Sequence, residues 1–135
     1  FFKIKNSKPK KSYGFVLNIV CQVDSIIKSR NSIGKVFYLG DYEPMIINDW
    51  SDLIADEWGV RRPFEINRII LYPISLIGSV LNKFGIKFPL TLFRYNNMIT
   101  ENFIDKNLTK QICPKLPFSQ KEAVKLTINY LKNNK

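Results

Sequence analysis

The sequence predicts a small, helix-rich α/β (α+β) domain with short strands and about five to six helices. Segment 34–59, GKVFYLGDYEPMIINDWSDLIADEWG, has the pattern of a strand, a turn and a helix in succession. Further segments repeat apolar residues at helical spacing, and Ser119-Gln120-Lys121-Glu122 has the pattern of a helix capping box. The 135 residues suffice for one domain, which we expect to occupy residues 1–135.

Each part of segment 34–59 has its own local signal. Lys35–Leu39 is a β-branched and aromatic run that predicts a strand, and Gly40-Asp41 marks the turn after it. We expect Asn48 to cap the following helix and Gly59 to end it in the left-handed conformation. One face of that helix is apolar, formed by Trp50, Leu53, Ile54 and Trp58.

On either side of this segment we predict further helices and short strands. A strand at Ser12–Val16 is followed by a helix whose apolar stripe should pack in the core, formed by Val16, Val20, Val23, Ile26 and Ile27. Segment 66–84 predicts a long apolar helix in which Pro73 causes a kink or marks the first turn, and which ends at Gly85. Its uncharged run is too short for a bilayer, so we expect no membrane span.

The last third of the chain predicts short elements and a final helix. We expect a helix over Leu90–Asn97, a strand over Glu101–Ile104, and a short helix capped by Asp105. The final helix begins at the capping box, and its inner stripe is formed by Ala123, Val124, Thr127, Ile128 and Leu131.

The charge is strongly positive, with 21 Lys and Arg against 11 Asp and Glu and a formal net charge of +10. Such a balance attracts phosphates, whether in nucleic acid, acidic lipid or a nucleotide ligand. Residues 1–11 include five lysines, and we interpret them as a basic, solvated and mobile segment. A cationic lip over a phosphate site and a nucleic-acid-binding arm are the alternatives for this segment.

The composition excludes most catalytic sites. The chain has no histidine, no glycine-rich phosphate loop and no tyrosine followed four residues later by lysine. Cys21 and Cys113 indicate neither a zinc site nor a disulfide framework, and two buried thiols fit a reducing cytoplasm. We therefore predict no catalytic, metal-binding or cofactor-binding residue. Binding candidates remain, because Lys11 beside Tyr13, and Arg94 beside Tyr95, could hold a diphosphate and an attached ring.

Several stretches in order resemble the C-terminal, substrate-binding part of the NAD-dependent epimerase/dehydratase family, the extended short-chain dehydrogenase/reductases. They are KSYGFVLN (11–18), VFYLGD (36–41), FPLTLFR (88–94), Asn97-Met98, Asp105 and LPFS (116–119). The resemblance covers nearly everything from about residue 10 to 133. It is closest to nucleoside-diphosphate-sugar epimerases of surface polysaccharide pathways.

The resemblance implies a two-part enzyme of which this chain is the smaller, nucleotide-sugar-binding lobe. The parent would bind NAD(P) in an N-terminal Rossmann domain, the half that this sequence lacks, and could be a homodimer. Lys11 stands where many members have a ligand-binding arginine, Ser12 where they have aspartate, and Asn18 where many have Asp. Lys11, Tyr13 and Arg94 are accordingly the expected substrate-binding residues. We expect the chain to be a fragment that is not catalytic alone, whether the parent is an epimerase, a dehydratase or a reductase.

Two other functions remain open from the sequence: a basic, non-enzymatic module that binds nucleic acid, and a structural or assembly domain without ligand. The lobe hypothesis carries its own structural expectation. Without the Rossmann domain, the 16–27 stripe and the 69–84 segment should leave apolar surface exposed.

Overall fold

The computed structural model describes residues 2–134, which form a small, helix-rich α+β domain. Its six α-helices are α1 Val16–Lys28, α2 Ile47–Trp58, α3 Arg68–Lys83, α4 Leu92–Ile99, α5 Asn107–Ile112 and α6 Gln120–Asn133. Four short strands accompany them: β1 Phe2–Ile4, β2 Lys10–Lys11, β3 Met45–Ile46 and β4 Phe64–Ile66. Strand β1 pairs with β4 in parallel, and β2 pairs with β3 antiparallel. The predicted class is confirmed. Among the described residues, no helix is long and apolar enough to span a membrane.

Two packing units hold these elements together. In the first, α3 packs on α4 beside the β1–β4 sheet, around a buried cluster formed by Ile4, Leu71, Leu90 and Tyr95. In the second, α2 packs on α6, next to the β2–β3 sheet. Strands β1 and β2 follow one another in the chain, so the N-terminal segment contributes to both units.

The N-terminal segment, predicted as basic, solvated and mobile over residues 1–11, is solvated only in part, since Lys5, Lys8 and Lys10 are exposed while other residues are buried. Between residues 2 and 11 it forms both β1 and β2, and it buries Lys3 and Ile4. The Lys3 ammonium donates to both carboxylate oxygens of Asp52 on α2, at 2.8 Å each. A lysine can be buried here because an opposite charge neutralises it at hydrogen-bond distance.

Signals for helix ends are mostly confirmed. The capping box of Ser119 and Glu122 is formed, and Gly59 ends α2 in the left-handed conformation with φ 80°. Asp105 accepts from the backbone N–H of Asn107 at the start of α5. Pro73 lies inside α3 rather than in its first turn.

Other local predictions are wrong. Lys35–Leu39 forms no strand, because it has no ladder partner within residues 2–134.

Asn48 lies inside α2 and does not cap it; its amide donates to the carbonyls of Ile4 and Ser7 at 2.9 Å. The strands predicted at 12–16 and 101–104 are absent, apart from an isolated bridge between Lys11 and Asn102.

Helix α1 presents the opposite face to the one predicted. Its apolar residues face outward, with Val16 62% and Ile27 78% exposed, whereas Asn18 and Gln22 are completely buried. Gln22 donates to the carbonyl of Gly40 at 2.8 Å and accepts from its N–H at 3.0 Å. These polar side chains satisfy backbone groups that would otherwise be buried without partners, which a valine could not do.

Helix α3 also leaves most of its large apolar residues exposed. Its buried residues are Leu71, Ser75 and Gly78, and a Cβ on Gly78 would lie 2.0 Å from the carbonyl oxygen of Leu90. Close contact with the segment before α4 therefore requires small residues on this face. The large apolar residues lie outside, among them Ile69, Ile70, Ile77, Val80 and Phe84. The expected exposed apolar surface is thus present on both helices.

Because α1 buries its polar face, we expect loss of a buried polar side chain to cost more stability than a polar substitution on its exposed apolar face. Replacing the buried polar residue, Gln22→Ala, should lower the free energy of unfolding by about 3 kcal/mol, because it leaves the buried N–H and C=O of Gly40 unpaired. The matched substitution Val20→Gln, on the exposed face, should change it by less than about 0.5 kcal/mol. Urea denaturation of the two variants measures both values. A larger loss for Val20→Gln than for Gln22→Ala would contradict the orientation of α1.

The buried ion pair makes a second prediction. Lys3→Ala should cost about 2 kcal/mol of stability, since it leaves the partly buried Asp52 carboxylate without its partner. The control is Lys28→Ala, which removes an exposed pair with Asp24 of similar length, 2.7 Å. Solvent screens that pair, so its loss should cost less than about 0.5 kcal/mol. Equal losses in thermal or urea unfolding would show that Lys3 is not buried.

Candidate functional site

A cavity of about 330 Å³ lies between α2 and α6. Its walls are largely apolar and carry four aromatic rings, of which those of Tyr13, Trp50 and Trp58 have a polar group as well as an apolar face. The remaining lining residues are Phe15, Asp41, Met45, Ile54, Gln120, Ala123, Val124, Thr127, Ile128 and Leu131. Its volume falls at the lower end of the range for small-molecule sites, which suits one ring with its substituents.

The Tyr13 ring forms one aromatic wall together with Trp50. The two ring centroids are 5.5 Å apart and the planes are inclined by 51°. Tyr13 remains 43% exposed, so part of its ring is open to a ligand. Aromatic faces of this kind bind flat rings and the apolar faces of sugars through dispersion and buried area.

Asp41 supplies the charged group in this apolar wall. It is only 5% exposed, and its Oδ1 accepts from the Asn18 amide at 2.8 Å and from the N–H of Phe15 at 3.4 Å. Its Oδ2 is buried and accepts no hydrogen bond from any residue of the described range 2–134. Most buried polar atoms in proteins have a partner, so this oxygen is an unused acceptor, but it is closed to solvent and a ligand donor would reach it only after the wall rearranges.

The backbone around Asp41 is fixed by Gly40. Gly40 has φ 146°, and a Cβ there would lie 2.6 Å from the carbonyl oxygen of Tyr13. Because glycine has no side chain, the two segments approach closely and the N–H of Asp41 donates to that same oxygen at 2.7 Å. Gln22 hydrogen-bonds to both backbone polar groups of Gly40. The contacts with Tyr13 and with Gln22 together therefore fix the position of Asp41.

A second buried charge lies on the other side of Gly40. Lys106 is 5% exposed, and its ammonium donates to the Ser12 hydroxyl and to the carbonyl of Ile104, both at 3.1 Å. Burial lowers the pKa of Lys106, while attraction to Asp41 and Asp105 opposes that change. The lysine therefore supplies positive charge near the Asp41 carboxylate without bonding to its free oxygen.

The structure places one of the three predicted binding residues on the cavity. Tyr13 lines it directly. Lys11 lies in β2, two residues before Tyr13 and thus within about 7 Å of it along the chain, but it is not a lining residue. Arg94 lies in α4, is exposed, and donates to the carbonyl of Pro89 at 2.8 Å. Ligand contacts of Lys11 and Arg94 stay predictions.

Asp41, Trp50 and Trp58 are the residues of this site that sequence reasoning missed. Asp41 follows a glycine, so turn formation explained it fully. The tryptophans fitted the apolar stripe of a helix that packs on a core. The one available signal was that both tryptophans of the chain lie on α2, a single twelve-residue helix.

The aromatic and apolar lining of the cavity suits a small ring. Aromatic walls with a single spare carboxylate oxygen can hold a small ring that donates a hydroxyl or N–H hydrogen bond. Within residues 2–134, no group of three or more Cys, Asp or Glu side chains is arranged to hold a metal ion.

Comparison with known proteins supports the fold alone. No protein-family model and no curated protein matches the sequence. The fold is similar to the crystal structure of a protein named gox2253, with a TM-score of 0.56 at 18% sequence identity. The match covers 93% of this chain and 48% of that one, so the chain spans about half the length of the structure that it resembles.

The hydrogen bond between Asn18 and Asp41 predicts the effect of a second acidic residue at position 18. Asn18→Asp would place a second buried carboxylate against Asp41 and should cost about 3 kcal/mol of stability at pH 7. Repulsion would raise the folded-state pKa of the pair, so stability should be lost as the pH rises through that pKa and recovered near pH 4. Urea denaturation at both pH values measures this. The exposed α6 variant Asn129→Asp is the control, and similar small losses in both variants would contradict the contact.

Proposed function

We propose that this chain is the nucleotide-sugar-binding lobe of an NAD-dependent epimerase or dehydratase of the extended short-chain dehydrogenase/reductase type. The observation that carries the proposal is the cavity wall, where Tyr13, an expected binding residue, meets Trp50 and the spare oxygen of Asp41. The sugar or the base of the ligand would stack on the two rings and donate to the carboxylate. The diphosphate would extend toward Lys11, the cation nearest along the chain.

The outward-facing apolar surfaces support the idea of a lobe. Helix α1 buries Asn18 and Gln22, helix α3 buries Leu71, Ser75 and Gly78, and both expose rows of valine, isoleucine and leucine. Surfaces of this kind mark the docking site of another domain. The protein of similar fold, gox2253, is about twice as long as this chain, which is consistent with a companion domain.

The reaction chemistry would belong to the companion. Neither a glycine-rich turn nor a Tyr-x-x-x-Lys pattern occurs in this sequence, so NAD(P) and the catalytic groups would be held outside it. The residues of this chain would bind the substrate, orient its ring and exclude water from that ring. Homodimerisation of the parent and a cytoplasmic location remain predictions that accompany this proposal.

The arrangement of charge favours this function over nucleic-acid binding. Lys3 is buried and paired with Asp52, and the N-terminal segment is held by β1 and β2, so its exposed Lys5, Lys8 and Lys10 do not lie on a free arm. Nucleic-acid binding would instead need exposed cations alongside aromatic stacking platforms.

Fluorescence titration can test the proposal, because both tryptophans of the chain line the cavity. UDP- and dTDP-sugars should change the tryptophan emission of the protein. In NMR, the backbone amide signals that shift when the sugar is added should centre on Tyr13, Asp41 and Trp50. Ala123→Leu should fill the cavity and weaken binding by about tenfold or more, equivalent to about 1.4 kcal/mol. Lys125→Ala, on the exposed side of α6, should leave binding unchanged.

Three outcomes would count against the proposal. One is saturable nucleotide-sugar binding that Ala123→Leu does not weaken, since the ligand would then bind elsewhere. Another is the absence of any shift at millimolar ligand. The third is tight binding of DNA that falls steeply with salt, which would favour the nucleic-acid module.

A further inference from the structure

Two cysteines that are 92 residues apart in sequence meet in the fold. The sulfur atoms of Cys21 on α1 and Cys113 at the end of α5 are 3.9 Å apart, and both thiols are free. Cys113 is buried, whereas Cys21 is half-buried. A disulfide needs a sulfur–sulfur distance of about 2.05 Å, so the thiols have to approach by about 1.9 Å, which side-chain rotation with a small helix shift can supply.

Both cysteines adjoin the contacts that hold the segment 40–42, which carries Asp41. Gln22, the neighbour of Cys21, bonds to the N–H and C=O of Gly40. On the other side, the Tyr42 hydroxyl donates to the carbonyl of Cys113. Burial raises the pKa of Tyr42 to about 12, so this hydroxyl keeps its proton at physiological pH.

We propose that Cys21 and Cys113 form a reversible disulfide by exchange with a low-molecular-weight disulfide, and that this bond shifts segment 40–42 at the cavity wall. The thiol pair would thereby make the Asp41 site respond to redox conditions. The cross-link itself is independent of the proposed nucleotide-sugar function, and only its effect on ligand affinity rests on that function.

The exchange takes place in two balanced steps. Cys21, the more accessible thiol, loses its proton and attacks the small disulfide, forming a mixed disulfide and releasing one small thiolate. Cys113 then loses its proton and attacks the Cys21 sulfur, which forms the protein disulfide and releases the second small thiolate. Two electrons pass from the protein to the oxidant, and the two protein protons end on the released thiols.

The surroundings of Cys21 set the pH dependence of the exchange. Hydrogen bonding to Cys113 and then burial raise the pKa of Cys21. The thiolate is the attacking species, so little of it is present at neutral pH and the rate should rise with pH up to that raised pKa. Reaction near pH 7 is therefore slow, and incubations at about pH 8.5 should be markedly faster.

The test uses the folded chain incubated with oxidised glutathione. We expect a monomeric product about 2 Da lighter with no free thiol, which dithiothreitol restores to the reduced form. Cys113→Ser should stop at a glutathione adduct on Cys21, because the resolving thiol is missing. Cys21→Ser should react at least tenfold more slowly than Cys113→Ser, because its remaining thiol is buried.

The same mixture in 8 M urea provides the reference for proximity. The folded chain should form the internal disulfide at a lower ratio of oxidised to reduced glutathione than the unfolded chain does, because folding already brings the sulfurs together. The idea is wrong if the folded chain forms only glutathione adducts or disulfide-linked dimers. It is also wrong if the folded chain cross-links no more readily than in urea.

The effect on the cavity has a separate readout. Oxidation should shift the amide resonances of Gly40, Asp41 and Tyr42 and change the tryptophan emission, without any ligand present. A cross-linked chain in which these signals do not move would overturn the coupling. If these signals move but no nucleotide sugar binds in either redox state, the proposed nucleotide-sugar function is wrong. The proposed disulfide and its effect on segment 40–42 are then still supported.

Discussion

The buried contacts of Asn18 and Gln22 with segment 40–41 are the constraint on which the rest of this structure depends. Asn18 donates to Asp41 and to the carbonyl of Phe118, and it accepts from the N–H of Phe118 at 3.1 Å. Gln22 satisfies both polar groups of Gly40. One helix thus holds the turn before α2 and the segment before α6 at once. In a low-dielectric interior such bonds are strong when complete and costly when broken.

The orientation of α1 follows from these contacts. The polar face of α1 hydrogen-bonds to buried groups of other segments, so the valines and isoleucines of this helix have to face outward. Helix α3 reaches the same result for a steric reason, since Gly78 and Ser75 allow the chain near Leu90 to approach and the bulky residues are left outside. Both helices therefore expose most of their valines, isoleucines and leucines, and of these residues only Leu71 of α3 is fully buried.

Local signals in the sequence predicted what depends on neighbouring residues, and failed where distant contacts decide. The capping box at Ser119 and the left-handed Gly59 are properties of a few adjacent residues, so both were predictable. The buried face of α1 was not, because periodicity shows that a helix has two faces but not which one meets the protein. The run Lys35–Leu39 has strand composition, yet a strand needs a ladder partner that no local pattern can reveal.

The same distinction between local signals and distant contacts applies to the residues of the candidate site. Tyr13 was singled out by its position beside Lys11 and by the resemblance, whereas Asp41 was not, since its environment depends on distant Asn18 and on Phe15, which donate to one oxygen and leave the other without a partner among the described residues. Because Oδ1 is held by two donors and Gly40 by Gln22, the Asp41 carboxylate is fixed in position by α1 and by the N–H of Phe15. The helix that fixes it carries the exposed apolar face on its opposite side, only about 10 Å away. A domain docked on that face would therefore press on the same helix that positions Asp41, so covering the apolar surface and ordering the cavity wall are linked through α1.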